Sequence, residues 1–547
     1  MERTATMEEG VVYSPYPDID YPDNLSFYHY TERWMLRHSD GIAIIDGERR
    51  VTFDAALKGI QRYADGYRSQ GLKTGDRVCV HLSNSAEAMM ACYGVIAAGG
   101  AVVLAKPTLT RGELLYILRT SRASFIVLDA IHAEKVRSIS DEVSLKGKFS
   151  LGPADGFFPI ANFQSVETSL FKPCAISETK SATAVLTYTS GTTGLPKATD
   201  ISHYALISAM EVMRCLKLFE DKDVLLAWNP ITHISGFVFY ISSLCYGTLS
   251  VVGSNRMPVE GFISTVNAHK VTSMCAFPTA FQKLLVQLES LQVKLPSLKK
   301  VFIAGAVATE ALIRKALKVF ELDSFQNGYG MSEAGGFLAM TPPGQLTREA
   351  TVGFVAPSCK CKVIDVVTGR AVPAGTDGEI LFQGPPLFTR YDGEPQATSS
   401  AFDKDSFFRT GDLGSYDSEG RFYVKDRIKD MIKCLDNQIA PAEVENLLLS
   451  HAEVAEAVVV GVPHEDYGEA PTAMVVLKEP RHPSPDQVAE ELKELVQSQL
   501  TEYKHLHGGV IFIEAIPKTD SGKCLRRELR QRALKVSGLC VADGGPY

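Results

Sequence analysis

The chain has 547 residues, 45% hydrophobic and 22% charged, which is ample core material for a globular protein and too much length for a single core. Its formal net charge is -8, and no basic block interrupts it, which argues against a nucleic-acid partner. Eleven cysteines, an odd number without a Cys-x-x-Cys clamp, point to reduced thiols and away from structural zinc.

Met1 to Asp20 mixes acidic and aromatic residues without an apolar core, unlike a signal or transit peptide. The final residues, ADGGPY, do not form the Ser-Lys-Leu peroxisomal address, so a cytoplasmic location is expected. From Gly75 the chain alternates β-rich runs with helical patterns: DRVCVHL, AEAMMACYGVIAAG, AVVLA, RGELLYILRTS and SFIVLDA. That rhythm predicts a parallel sheet covered by helices. Two stretches lack charged residues, Ala88 to Ala105 and Val224 to Asn255, but glycines break the first and Asn229-Pro230, His233 and Gly236 break the second. Buried helix-then-strand units are expected there, with no transmembrane segment.

At 188 to 197 the apolar Ala184-Val185-Leu186 run empties into YTSGTTGLPK. Glycines let backbone amides turn inward and the hydroxyls add donors, so Ser190, Gly191, Thr192, Thr193, Gly194 and Lys197 suit a phosphate chain, although Ser/Thr/Gly clusters also make plain turns. The G-x-x-x-x-G-K-[ST] pattern is absent, which does not support a kinase or GTPase. The alternation resumes with HYALISAMEVMRCL, DVLLAWNP, PTAFQKLLVQL, KKVFIAG and TEALIRKALKVF. Past Gly375, GEILFQG and GSYDSEGRFYV read as a small antiparallel unit, with Asp417 to Gly420 as a hairpin turn. Beyond Asp426, PAEVENLLLSH, VAEAVVVGV, TAMVVLK and DQVAEELKELVQSQL read as helix, two strands and an amphipathic helix.

Four further segments follow the hydroxyl-rich loop: NGYGMSEA (327 to 334), FRTGDLG (408 to 414), VKDRIKDMIK (424 to 433) and PKTDSGK (517 to 523). In this order the chain, from about Asp46 to Arg532, resembles the adenylate-forming superfamily of acyl- and aryl-CoA synthetases, coumarate ligases, beetle luciferases and peptide-synthetase adenylation domains. The resemblance implies an α/β fold: a large N-terminal adenylation domain of parallel or mixed sheets covered by helices, with a small antiparallel β unit, over 1–425. A small mobile α+β domain would cover 426–547. It implies ATP, Mg2+ and coenzyme A as cofactors and a carboxylic acid as substrate. The acid would be joined to AMP with release of pyrophosphate, then passed to coenzyme A.

By the same resemblance, Thr189 and the loop through Lys197 grip the β- and γ-phosphates. Gly305, Ala306 and Asn327 form the adenine wall, with Tyr329 stacked on the base, and Gly328 and Gly330 also belong to the ATP/AMP-binding set. Ser332 supplies a hydroxyl where the family has threonine. Glu333 is the magnesium carboxylate, a hard oxygen ligand for a hard cation. Asp412 accepts the ribose hydroxyls and Arg427 reaches the same sugar. Lys523 is the catalytic lysine of adenylation, Lys429 the pivot of the hinge, and Lys433 a lysine that the rotated domain presents. His233 is the gate at the carboxylate end of the acid pocket. Ile234, Ser235, Gly236, Phe237, Gly335, Gly336 and Phe337 line that pocket, which carries no basic residue, so an uncharged fatty or aryl tail is expected, shortened by Phe337.

The chain departs from the family's pattern at Cys434-Leu435-Asp436-Asn437-Gln438, where Asp436 replaces a glycine and makes the coenzyme A step less secure than adenylation. Ala198, Ala304 and Ala308 are milder departures. A luciferase-like monooxygenase, an adenylating protein with impaired thiolation and a non-catalytic nucleotide binder are the competing readings.

Overall fold

The computed structural model describes residues 4–189, 196–254, 257–306, 308–435, 437–464, 466–478, 484–519 and 522–536. Two large sheets carry the bulk of the chain. One runs Arg390–Tyr391, Ala198–Ser202, Thr183–Tyr188, Ala101–Leu104, Arg77–His81, Phe125–Asp129, Gly147–Leu151 and Phe158–Pro159. The other runs Phe354–Val355, Gly336–Met340, Ser324–Met331, Lys300–Ala304, Ser273–Ala276, Val224–Ala227, Leu249–Val252, Ile42–Asp46 and Arg49–Thr52. The alternating rhythm thus builds two mixed sheets rather than one parallel sheet, because each begins or ends on antiparallel strands.

The charge-free stretches become the expected buried units. Helix Ala86–Ala97 is covered on every face except at Glu87, and Ile234–Tyr246 on every face except at Ser235. A helix apolar all round belongs in an interior, and both join a core that also takes Val78 and Val80 from one sheet and Ile44 and Leu225 from the other. Among the described residues, no helix is long and apolar enough to cross a membrane.

A six-stranded antiparallel sheet follows the order Met7–Glu8, Val11–Tyr13, Lys360–Ile364, Gly378–Gln383, Phe408–Tyr416 and Phe422–Arg427. Its turn at Asp417 to Gly420 is closed by Gly420 N–H donating to the Asp417 carbonyl at 3.0 Å. Its first two strands come from the N-terminus, which the sequence reading leaves unassigned. Val12 carries the reason, since it is wholly buried inside a run too short to show a period.

Beyond Arg427, a five-stranded sheet forms with cores of its own. Strands Ile432–Cys434, Asn437–Ile439, Val454–His464, Gly468–Leu477 and Val510–Phe512 are flanked by helices Pro441–Leu448, Pro485–Gln499 and Arg526–Val536. Both of its hydrophobic clusters draw only on residues past 431, among them Val459, Val475 and Leu492 in one and Met474 and Leu529 in the other.

Candidate active site

Four neighbouring parallel strands end at one edge of the nine-stranded sheet: Val224–Ala227, Ser273–Ala276, Lys300–Ala304 and Ser324–Met331. Ligands collect beyond the carboxyl ends of such strands. Directly past those ends stand Asn229, Phe277, Gly305 and Ser332, which line a cavity of about 90 Å³ with His233, Phe337 and Lys523. Ile234, Ser235, Gly330, Gly335 and Gly336 complete the predicted residues found in its wall.

His233 caps helix Ile234–Tyr246. Its Nδ1 accepts from the Ser235 amide at 3.2 Å and lies 2.7 Å from the Ser235 hydroxyl, and its ring meets Phe277 edge-on at 5.6 Å. Burial, then the charges of Lys106 and Lys523, push its pKa down to about 3, so the imidazole is neutral at ordinary pH. The loop before it is pinned by Asn84, whose amide donates to the carbonyls of Asn229 and Gly253, each at 3.0 Å, and accepts from the Ile231 amide at 2.9 Å. Gly236 supports that loop rather than lining the cavity: a Cβ there would stand 2.0 Å from the Pro230 carbonyl oxygen. Phe237 is also not in the wall. It is wholly buried, its ring 5.1 Å from Tyr93 and its carbonyl accepting from the Tyr93 hydroxyl.

The floor is aromatic. Phe337 stacks on Phe239 at 6.0 Å and meets Phe302 edge-on at 4.7 Å.

The sugar-binding candidates meet across a strand pair. Asp412 and Arg427 are cross-strand partners, and Arg427 Nε lies 2.7 Å from Asp412 Oδ1. The Tyr329 hydroxyl donates to Asp412 Oδ2, and the Tyr329 ring stacks on Phe382 at 5.7 Å. Burial raises the Asp412 pKa while Arg427 and Tyr329 oppose it. Asn327 is buried, donating to the Thr351 carbonyl at 2.8 Å, and Ala306 is exposed just past Gly305. Gly328 and Gly330 admit close neighbours: a Cβ at Gly330 would fall 2.2 Å from the Gly336 carbonyl oxygen.

Glu333 is partly exposed, and its Oε1 accepts from the Tyr391 hydroxyl at 2.9 Å. Crowding by the surrounding protein raises its pKa, against Tyr391, Arg427 and Lys523. Lys197 lies 5.2 Å over the Tyr391 ring, so one aromatic side chain links the loop lysine to the carboxylate. The loop is the connection of a hairpin, Thr183–Tyr188 against Ala198–Ser202, with the Thr189 amide donating to the Lys197 carbonyl at 3.1 Å. The second strand is not foreseen in the sequence, which reads as strand then helix. Ser190, Gly191, Thr192, Thr193 and Gly194 lie outside the described residues, as does Asp436.

Lys523 arrives from the far domain. Its segment is held by reciprocal bonds, the Thr519 amide to the Lys523 carbonyl at 2.8 Å and the Lys523 amide to Thr519 Oγ1 at 3.1 Å. Solvent still reaches the side chain in the cleft, yet desolvation and then Arg427 lower its pKa, with Lys106 adding to the effect. Lys429 also touches solvent on one side, while desolvation on the other brings its pKa down to about 8. Lys433 is exposed on the Ile432–Cys434 strand and does not line the cavity.

Sequence reasoning missed Tyr391, Phe239, Phe302, Asn84 and Lys106. Only Lys106 left a signal: it is the first charge after the charge-free stretch and follows the end of strand Ala101–Leu104, which runs parallel beside Thr183–Tyr188.

The AMP-binding enzyme family matches residues 31–392, and the AMP-binding enzyme C-terminal domain matches residues 443–523. The chain is 29% identical to a probable 4-coumarate-CoA ligase 2 of Dictyostelium discoideum, over 96% of this chain and 98% of that one. It is 30% identical to 4-coumarate-CoA ligase 4 of Arabidopsis thaliana, over 97% and 96%. Among solved structures, ATP-bound MatB from Rhodopseudomonas palustris superposes with a TM-score of 0.84 at 26% identity, covering 94% of this chain and 100% of that one. The anthranilate CoA ligase AuaEII in complex with anthranoyl-AMP shares the fold, with a TM-score of 0.85 at 23% identity over 95% and 99%. Motifs, architecture and matched segments agree along the length of the sequence, and the chain belongs to the AMP-binding enzyme family of adenylate-forming enzymes.

Proposed function

We infer that the protein is an AMP-forming acid-thiol ligase: it activates an aromatic carboxylic acid with ATP and passes the acyl group to coenzyme A. The observation that carries this reading is the presence of Lys523, from the C-terminal domain, in the wall of the same cavity as His233, Gly335 and Phe337. One carboxylate oxygen of the acid attacks the α-phosphorus, a new P–O bond forms, the bond to the β-phosphate bridging oxygen breaks, and pyrophosphate leaves. The Lys523 ammonium stabilises charge spreading over the transferring phosphoryl oxygens and orients the nucleophile. Neutral His233 closes the cavity at the carboxylate end without adding charge.

Asp412 and Arg427 hold the ribose, Tyr329 the base, and Thr189 to Lys197 the outer phosphates. Glu333 suits Mg2+, which is commonly bound by one or two carboxylates together with substrate phosphates and waters, and the Tyr391 hydroxyl orients its carboxyl group. When bound there, the ion neutralises phosphate charge. In the second step the domain over 426–547 turns about Lys429, away from the domain over 1–425. Coenzyme A sulfur then attacks the acyl carbon, the C–O bond to phosphate breaks, AMP leaves, and the thiol proton passes to solvent. The exposed Lys433 belongs to the face presented in that step.

An aromatic acid suits the small cavity with its Phe239, Phe302 and Phe337 floor, and the curated relatives carry the name of 4-coumarate ligases. A cytoplasmic location suits ten free cysteines among the described residues. The test is AMP formation from a panel of carboxylic acids, with and without coenzyme A. Aryl acids should release AMP with one thioester formed per AMP, and Lys523→Ala should slow adenylation by roughly 100-fold or more. Failure to bind any adenosine compound, or equal turnover by Lys523→Ala, overturns the reading.

A further inference from the structure

A second cavity, of about 340 Å³, lies apart from the active site between the Arg49–Thr52 strand and helices Phe53–Ser69 and Ala86–Ala97. Arg49, Arg50 and Arg62 line it together with a single carboxylate, Glu87, so two positive charges stand in excess on a chain whose net charge is negative. Glu87 is already engaged, by Arg49 at 2.5 Å and by the Tyr63 hydroxyl. Arg50 and Arg62 make no ion pair among the described residues. The Arg62 Nε–H, shut off from solvent, has no acceptor among the described residues. Glu167 feels the Arg62 charge but does not line the cavity. Val51, Met90 and Phe163 add apolar surface to the lining.

A buried donor without an acceptor costs free energy, and an arginine fork corrects the deficit by turning its edge to two oxygens of one anion. A phosphate monoester carries between one and two negative charges at neutral pH, which answers the excess here. The cavity is within the size range of small-molecule sites, and its apolar surface has room for more than the phosphate itself. We propose that this cavity binds a small phosphate monoester with an apolar or aromatic body, gripped by Arg50 and Arg62 and packed on Met90 and Phe163.

Phenyl phosphate is the probe, titrated into the full chain by calorimetry, with inorganic phosphate and phenol as separate arms. One saturable site is expected, at least tenfold weaker in Arg62→Gln and in Arg50→Gln and unchanged in Lys197→Ala, whose lysine belongs to the active-site loop. Inorganic phosphate should bind more weakly than phenyl phosphate, and phenol should not compete. Arg50→Gln should keep wild-type acid-dependent pyrophosphate exchange, which shows that its loss of binding is not loss of fold. The proposal is overturned by the absence of saturable binding, by equal binding of inorganic phosphate, or by an affinity that Lys197→Ala abolishes while Arg50→Gln and Arg62→Gln retain it.

Discussion

Lys106 adds its charge to the burial that tunes two site groups. Desolvation lowers the pKa of both His233 and Lys523, and Lys106 lowers both further because like charges disfavour each other's protonated forms. On the proposed function Lys523 must carry its proton to stabilise the phosphoryl oxygens, so adenylation should fade on the alkaline side below the 10.5 of an ordinary lysine. Lys106→Met removes a positive neighbour, raises the Lys523 pKa and should move that alkaline limb to higher pH. Pyrophosphate exchange measured between pH 7 and 11 checks the sign, and an unmoved or lowered limb contradicts it. Phe337 sets a second residue-scale expectation. Trimming it to Ala removes the ring that stacks on Phe239, so the preference among straight-chain and aryl acids should shift toward longer substrates, by roughly 10-fold or more in relative kcat/KM for two added methylenes. Unchanged ranking would show that the floor lies elsewhere.

Among elements, the loop from Asn229 to His233 depends on the segment preceding helix Ala86–Ala97. Asn84→Ala would strip the acceptor from the Ile231 amide and one donor each from the Asn229 and Gly253 carbonyls, of which Asn229 keeps the Tyr240 hydroxyl. A cost of about 1–3 kcal/mol follows for buried groups left unpaired, together with a raised KM for the acid and little change in ATP affinity. Thermal melting and substrate kinetics read the two effects separately, and an unaltered acid KM would rule out the coupling. Lys523 rests on a comparable support: Arg526, three residues on, grips Glu445 through two oxygens at 2.5 and 3.0 Å, and Glu445 also accepts from the Val459 amide at 2.7 Å. Arg526→Met should therefore destabilise the C-terminal cores by about 3 kcal/mol, since it leaves a mostly buried carboxylate without its cation. Elements of this kind were legible to different degrees. Helix His203–Cys215 and the strand at Val224–Ala227 follow from local period and composition. Ala198–Ser202 is read less easily, since a strand of ATDIS is defined by its pairing with Thr183–Tyr188, not by its own residues. The site shows the same division. Asp412, Glu333 and Lys523 stand in motifs, whereas Asn84 and Tyr391 reach the site from segments whose local sequence carries no mark of it.

At the scale of the whole molecule, the C-terminal unit touches the main body through Lys283 and Glu456, 3.7 Å apart, while Glu456 is also held by Lys518. A reducible bis-maleimide bridging Lys283→Cys and Glu456→Cys would fix the two bodies with Lys523 in the cavity. Acid-dependent pyrophosphate exchange should survive the bridge, thioester formation should fall at least 10-fold, and cleavage of the linker should restore it. Full thioester formation while bridged would mean that no large rotation separates the two half-reactions. Asp412 carries a further consequence for turnover. Its oxygens are already paired with a phenol and a guanidinium, so on the proposed function an incoming sugar trades one set of partners for another instead of relieving a bare anion. On that reading the spent nucleotide, on leaving, hands the carboxylate back to those waiting donors, and the departure of AMP is spared the cost of leaving the buried Asp412 charge unpaired.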